Sequence, residues 1–218
     1  MTGAPQDDTS IAGAYGQWAA SYDADHNRTR DLDGEVMRQL HESRRVASLV
    51  EAGCGTGKNT GFLATLTHEL IAFDFSPEML AVAEAKVRAP HVRYTVHDVR
   101  EAWPVAAATV DFITFNLVLE HIEDLDAVFG HAAVAVRDGG VVFVSELHPF
   151  RQYRGSQARY RGDSGEEIRV QAFLHHASDY IRCAEGHGLR LDRLSEWWHA
   201  DDDRAWPRLL TLQFIKST

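Results

Sequence analysis

The chain has 218 residues, 44% of them apolar, and 22 Lys and Arg against 32 Asp and Glu give it a formal charge of −10. That composition suits one folded domain with a full core, and the acidic surplus disfavours a nucleic-acid partner, whose phosphates basic side chains would have to neutralise. No apolar run approaches the ~20 residues that cross a bilayer, the opening MTGAPQDDTS lacks the basic and apolar regions of a secretory leader, and Cys54 and Cys183 show neither metal nor disulfide spacing, so a soluble, cytoplasmic protein without a metal site or membrane partner is expected.

Residues 1–10 read as a polar tail. In "YGQWAASYDADH" (15–26), Tyr15, Trp18 and Tyr22 recur at i, i+3 and i+7, the spacing of one helical face. A second helix is expected over 31–45, with Val36, Leu40 and Met37 inward. The pattern then changes. "VASLVE" (46–51) is a short apolar strand, "TGFLATLT" (60–67) opens a helix, and "ELIAFD" (69–74) is a second strand. "SPEMLAVAEAKV" (76–87) predicts a helix with Ser76 as its cap, Pro77 in the first turn and Glu78 at the positive end of the dipole. Strands follow at 91–98 and 110–116, a helix at 124–136, a turn at Asp138-Gly139-Gly140 and a fifth strand at 141–147. After an Arg-rich insertion (150–167) come a strand at 168–174, a helix at 177–187 and strands at 189–196 and 209–216. Alternating strands and helices over 46–147 predict an α/β fold with a doubly wound, mostly parallel sheet and helices on both faces.

"LVEAGCGTGKNT" (49–60) sets Gly53, Gly55 and Gly57 directly behind the first strand. Bare backbone there permits positive φ and close approach of a ligand, and the following helix offers free N–H groups. The spacing is G-x-G-x-G. A dinucleotide fingerprint would put its third glycine at 58, which is Lys, and no G-K-[ST] is present. A nicotinamide-dependent oxidoreductase is therefore disfavoured. Asp74 ends the second strand, where an acid accepts from ribose hydroxyls. Asp98 ends the third, where one accepts from an exocyclic amine.

"VEAGCGTG", "FDFSPEML", "HDV" and "FNLVLEHIED" resemble, in order, the successive motifs of class I S-adenosylmethionine-dependent methyltransferases. The resemblance implies a Rossmann-like, seven-stranded sheet whose last strand is antiparallel. It implies S-adenosylmethionine as cofactor, with Glu51, Gly53, Gly55 and Gly57 near its methionine part and Asp74 on its ribose. Phe75 and Met79 would flank the adenine, Asp98 and Val99 would meet its edge, and Asn116 would lie under the sulfonium. "YGQWAASYD" is similar to the lid of small-molecule members, so Tyr15 and Tyr22 would close over the cofactor. One domain is then divided into an N-terminal helical lid (1–45), a cofactor-binding core (46–147) and an acceptor-side insertion with C-terminal strands (148–218). The absence of an Asn/Asp-Pro-Pro motif after the fourth strand turns the comparison away from DNA and glutamine methyltransferases. The carboxy-terminal region is similar to bacterial relatives without an assigned substrate.

The expected activity is methyl transfer to O or N of a small metabolite, an anionic one being allowed by the arginines. The competing readings are a carboxyl or peptide-terminus methyltransferase and a non-catalytic cofactor-binding subunit. A monomer or homodimer is expected. A hydroxyl or ammonium acceptor must lose a proton, which invites a base. His121 follows the fourth strand and His148 the fifth, so both are candidates, each with the alternative of a structural His bonded to a loop carbonyl. Glu120 and Glu146 are acids in the same neighbourhood, suited to orienting a His or holding a substrate amine. Arg151, Arg154, Arg159 and Arg161, with Tyr153 and Tyr160 between them, read as an acceptor lid or as a solvated loop balanced by Asp163, Glu166 and Glu167. One of His175 and His176 is a candidate for lining the acceptor cavity, and Trp197, Trp198 and Trp206 are candidates for its wall or for loop anchors.

Overall fold

The computed structural model describes residues 9–19, 22–24, 26–161 and 167–217. Seven strands form one sheet: β1 (Val46–Ala52), β2 (Thr67–Asp74), β3 (Val92–Val96), β4 (Val110–Asn116), β5 (Val136–Leu147), β8 (Leu189–Trp197) and β9 (Leu209–Lys216), in the order β3-β2-β1-β4-β5-β9-β8. The first five pair in parallel, and β9 runs antiparallel between β5 and β8. The expected antiparallel last strand is present, one place in from the sheet edge.

Period-two alternation divides the core. Val50, Ile71, Ile113, Phe115 and Val142 face one side, against Phe129 of α5 (Leu125–Ala135) and Tyr180 of α7 (Ala177–Gly186). Leu49, Leu70, Phe112 and Phe143 face the other, against Met37 of α2 (Arg28–His41) and Leu63 of α3 (Thr60–Ala64). Leu80 of α4 (Pro77–Lys86) packs on Ala72 of β2 on that same side. Ser76 caps α4 as expected, its hydroxyl oxygen accepting the Met79 N–H at 3.2 Å.

The elements differ from expectation where hydrogen bonds go to partners that periodicity does not reveal. Helix α1 (Thr9–Trp18) starts earlier than expected and ends at Trp18, with Tyr22 in the turn beyond it. The aromatics still meet: Tyr15 and Trp18 stack at 5.9 Å, and Trp18 meets Tyr22 edge-on at 4.7 Å. Helix α2 begins at Arg28 because the Asn27 side chain accepts from the N–H groups of Thr29 and Arg30. Gly139, at φ +70°, makes its turn as an excursion inside β5, where the register with β4 jumps. The strand expected at 168–174 shortens to β7 (Glu167–Arg169), paired with β6 (Arg159–Arg161). Beyond it, the Phe173 N–H bonds the Glu120 carbonyl and His175 bonds the Ile122 carbonyl, which diverts the backbone from a ladder. Residues 1–8, Asp163 and Glu166 and the side chains of Tyr160 and Arg161 lie outside the described residues.

Gly57 shows how α4 meets the first loop. It sits at φ +74°, and a Cβ there would lie 3.1 Å from the Ala83 Cβ and 3.2 Å from its Cα. Gly57→Ala is expected to lower stability by about 1–3 kcal/mol through left-handed strain and crowding of helix backbone. The check is a lower urea midpoint at constant m-value, and an unchanged midpoint would show that the loop yields.

Candidate functional site

The carboxyl ends of β1, β2 and β4 open into a cleft of about 1040 Å³, its mouth included. The strand order reverses between β2-β1 and β4, the place where open α/β sheets bind ligands. At the floor, the N–H groups of Gly53 and Cys54 both donate to the Phe73 carbonyl, at 2.8 and 3.1 Å, which ties the first loop to β2. Gly53 has no room for a side chain: at φ +75°, a Cβ would stand 2.4 Å from Val118 Cγ2. Gly55 differs, since a Cβ would meet nothing within 4 Å.

Asp74 organises the loop. Its Oδ2 accepts the Gly55 N–H at 2.9 Å and its Oδ1 accepts the Ser76 N–H at 2.9 Å. Burial pushes its carboxyl up to about 6, against the pull of these N–H bonds. Glu51 is buried behind the loop with the Thr60 hydroxyl donating to it at 2.6 Å, and burial pushes it up to about 8. At Asp98 burial also raises the carboxyl, but the Arg100 guanidinium, bonded at 2.7–3.1 Å, outweighs it and lowers the group below the usual range.

Eleven of the twelve residues expected around a cofactor line this cleft: Glu51, Gly53, Gly55, Asp74, Phe75 and Met79 on one side, Asp98, Val99 and Asn116 on the other, and Tyr15 and Tyr22 above. Gly57 does not; its place is against α4. A cover of Ile11, Tyr15, Trp18 and Ala19 from the N-terminal segment packs with Val170 and Met79. The hairpin residues Ala158 and Ile168 join it, so two distant segments roof the cleft together.

His121, in the 3-10 turn Leu119–His121 after β4, is the histidine that reaches the cleft. Its Nδ1 lies 2.7 Å from the Gln171 carbonyl, which only accepts, so Nδ1 carries the proton. Nε2 is then the acceptor, and the Tyr15 hydroxyl donates to it at 2.7 Å. Glu146, expected near substrate, is wholly buried. Its carboxylate accepts the N–H groups of Val118, Leu119 and Glu120 at 3.0, 2.8 and 3.4 Å and so holds the His121 turn. Burial, then the nearby Glu120 carboxyl, push it up to about 8.

Several expected site residues stand elsewhere. His148 does not line the cleft. It caps α6 (Pro149–Tyr153), accepting the Phe150 N–H at Nδ1 and donating from Nε2 to Glu196 at 2.9 Å, so both ring nitrogens are committed. Burial lowers its basicity. Arg151 pairs with Asp202 at 3.0 Å and donates to the Trp206 and Pro207 carbonyls. Tyr153 is exposed beside His176, while His175 is buried with its Nε2 2.7 Å from the Ile122 carbonyl. Trp197 donates to the Thr211 hydroxyl at 2.9 Å and packs on Leu32, Val36 and Leu209. These side chains anchor the C-terminal region rather than face the cleft.

Among the lining residues that escaped the sequence are Arg30 and Asp33, one turn apart on α2. Arg30 donates to the Tyr22 carbonyl at 2.6 Å and its guanidinium lies 3.9 Å over the Tyr22 ring. Asp33 accepts from Asn59 and Asn116 at 2.8 Å each and from Ser145 at 2.6 Å. The one available signal was two charges falling on the Met37 side of a helix otherwise read from its apolar positions. Among the described residues no cluster is arranged to hold a metal, and no helix is long and apolar enough to cross a membrane.

Residues 24–216 match a family model described as a methyltransferase domain. An uncharacterized methyltransferase of Emericella nidulans is 31% identical over 82% of this chain and 75% of its own length. A malonyl-[acyl-carrier protein] O-methyltransferase of Serratia marcescens is 32% identical over 80% of this chain, which spans 66% of that relative. The structure of DhpI with S-adenosylhomocysteine superposes with a TM-score of 0.74, covering 96% of this chain and 97% of that one at 20% identity, a likeness of fold.

The buried acids predict a pH dependence. Glu51 and Glu146 keep their protons to about pH 8 when folded, whereas unfolded they lose them near 4.5. A raised folded value means stability that is complete at low pH and lost as pH rises through 8. In the opposite sense, buried His41, lowered to about 3, disfavours the fold below pH 6.5. Between pH 4.5 and 6.5 the two acids outweigh the one histidine, so stability is expected to peak near pH 4.5 and to fall from there to pH 8, by ~2 kcal/mol per acid between pH 6.5 and 8. Urea midpoints across that range check it, and Glu51→Gln should flatten the fall. A flat wild-type profile would mean that neither acid is protonated at neutral pH.

Proposed function

The chain belongs to the methyltransferase-domain family, and from that premise we propose that it transfers the methyl group of S-adenosylmethionine to an oxygen or nitrogen of a small molecule. The carrying observation is the Asp74–Gly55 arrangement at a strand end: a carboxylate locked by backbone N–H groups beside an open glycine, inside a cleft bordered by further acids. The donor set fits the cofactor's functional groups. Asp74 has acceptor capacity left for two ribose hydroxyls. Phe75 and Met79 offer apolar faces to an adenine, and Asp98 with the Val99 backbone offers its polar edge a partner. Glu51 suits the ammonium of the methionine part, and Arg30 its carboxylate. The cofactor, when bound, supplies a methyl group already activated on a sulfonium.

The protein's task is then alignment and exclusion of water, worth several kcal/mol and up to ~7–11 in the best intramolecular models. Helices α1 and α2 serve as the lid, the 46–147 core holds the cofactor, and the segment from 148 onward builds the acceptor side. His121 is the base. Its protonated Nδ1 is pinned on Gln171, so the Nε2 lone pair faces the cleft under the Tyr15 hydroxyl. An acceptor hydroxyl or ammonium entering there takes over from Tyr15 and gives its proton to Nε2.

A second reading, methylation of a carboxylate, draws on the malonyl-[acyl-carrier protein] relatives. Such an acceptor has no proton to lose and needs no base. The two are separated by His121→Ala, assayed as methyl release from labelled cofactor with a hydroxyl, amine and carboxylate panel. A protonated acceptor predicts a ~10²–10⁴-fold loss of turnover, a carboxylate acceptor less than tenfold. His148→Ala is expected to leave turnover intact and to lower stability by ~0.5–2 kcal/mol through the lost α6 cap.

Cofactor binding itself is tested by calorimetry on the folded chain. Asp74→Asn should weaken S-adenosylmethionine at least ~10-fold, since bonds to a charged acceptor are worth ~1.5–3 kcal/mol each. An equal affinity in the variant would remove Asp74 from the site, and a preference for NAD(P) would overturn the cofactor assignment.

A further inference from the structure

Resting on that reading of the cofactor, we propose that Asp33 makes the cleft prefer the cationic cofactor over its uncharged-sulfur product. Asp33 lines the cleft and is 3% exposed. Its Oδ1 accepts from Asn116 Nδ2 at 2.8 Å and Ser145 Oγ at 2.6 Å, and its Oδ2 accepts from Asn59 Nδ2 at 2.8 Å. All three donors are neutral. A carboxylate has about four acceptor positions on its two oxygens, so Oδ2 retains one. The cation that acts on it, Lys58, has its own ammonium on Asp31 at 2.7 Å. Glu51 is close enough for the two acids to repel. A buried carboxylate held only by neutral donors is costly to keep charged, and a ligand cation relieves that cost.

The neighbouring amide shows where the charge acts. Asn116 accepts from the Thr114 hydroxyl at Oδ1 and donates to Asp33 from Nδ2, so its amide is engaged at both ends. The end of β4 therefore presents to a ligand the rest of the Asn116 amide, with the charge of Asp33 one hydrogen bond behind it. During transfer the carbon–sulfur bond breaks, its electron pair stays on sulfur, and the positive charge passes with the acceptor's proton to His121 Nε2, from which the proton is lost to solvent. The attraction to Asp33 exists before transfer and is gone after it, so the same residue draws the substrate in and loosens the product. Glu51 and Asp74 would not discriminate in this way, because the ammonium and ribose are unchanged by the reaction.

The experiment measures dissociation constants of three ligands by calorimetry on the full chain: S-adenosylmethionine, S-adenosylhomocysteine and sinefungin, which carries an ammonium-bearing carbon in place of the methylated sulfur. The wild type should bind both cations about tenfold more tightly than the homocysteine compound, the scale of one partly screened charge pair. Asp33→Asn should bring all three within about twofold by weakening only the cations. Ser145→Ala, which removes one hydrogen bond and keeps the charge, should preserve the wild-type ratio. A ratio unchanged in Asp33→Asn, or equal weakening of all three ligands, would overturn the proposal and leave Asp33 as framework. Should Asp33→Asn fail to fold, equal wild-type affinity for the three would overturn it, and a wild-type preference for both cations that Ser145→Ala preserves would support it. Absence of binding by all three to folded wild type would instead remove the cofactor reading, a separate result.

Discussion

The hydrogen bond from the Gly55 N–H to the Asp74 carboxylate joins the two strand ends on which the rest of the site is built. β1 must stop, turn back over the sheet and enter α3 within a few residues. Positive φ at Gly53, Gly55 and Gly57 makes the turn possible, but it does not decide where the loop lies. Asp74 does, because its second oxygen is fixed by Ser76 at the start of α4. The loop is thereby referenced to β2 and α4 at once. Gly57 completes the arrangement by letting the loop touch the Ala83 backbone, and Gly53 by letting Val118 close over the β1 end. Each contact needs the others, since a side chain at either glycine would push the loop off the Asp74 acceptor.

That geometry concentrates negative charge. Glu51, Asp74 and Asp33 are all buried around one cleft, and Coulomb repulsion among them adds to the effect of burial on Glu51. A fold that needed only stability would put apolar side chains there. Burying acids that keep few cations in contact lowers stability and raises affinity for a ligand that brings positive charge. Local destabilisation of this kind is what a binding site imposes on its scaffold. Asp98 stands apart, because Arg100 already neutralises it.

The sheet and the cofactor side were legible because their signals are local. A strand, a glycine loop and an acid at the next strand end occupy contiguous residues, and the parallel order follows from alternation alone. Eleven of the lining residues, between Glu51 and Asn116 or on the aromatic face Tyr15–Tyr22, carry such signals. The acceptor side was not legible in the same way. His148 sits at a strand end just as His121 does, and nothing in "ELHPF" reveals that its ring is spent on capping α6 and on Glu196 across the sheet. Arg151 has its partners more than fifty residues downstream. Asp33 hides in a helix whose apolar positions dominate its pattern, and its three donors come from residues 59, 116 and 145. Long-range hydrogen bonding decides those roles, and a single sequence holds no record of it.

The same long-range bonding assembles the roof. His121 takes Tyr15 from the N-terminal segment on one nitrogen and the Gln171 carbonyl from the C-terminal insertion on the other. Each segment carries apolar surface that must be covered. They bury it on each other, through Ile11, Trp18 and Val170, above Met79 and Phe75. Closing one segment alone would leave one ring nitrogen of His121 without its partner, at a cost of ~1–3 kcal/mol if that nitrogen is sealed from water. The two halves of the roof are therefore coupled through a single imidazole. Glu146 sets the position of that imidazole from below by holding three backbone N–H groups of its turn. A buried acid at the end of β5 thus acts at a distance on how the cleft is covered, without facing the cleft itself.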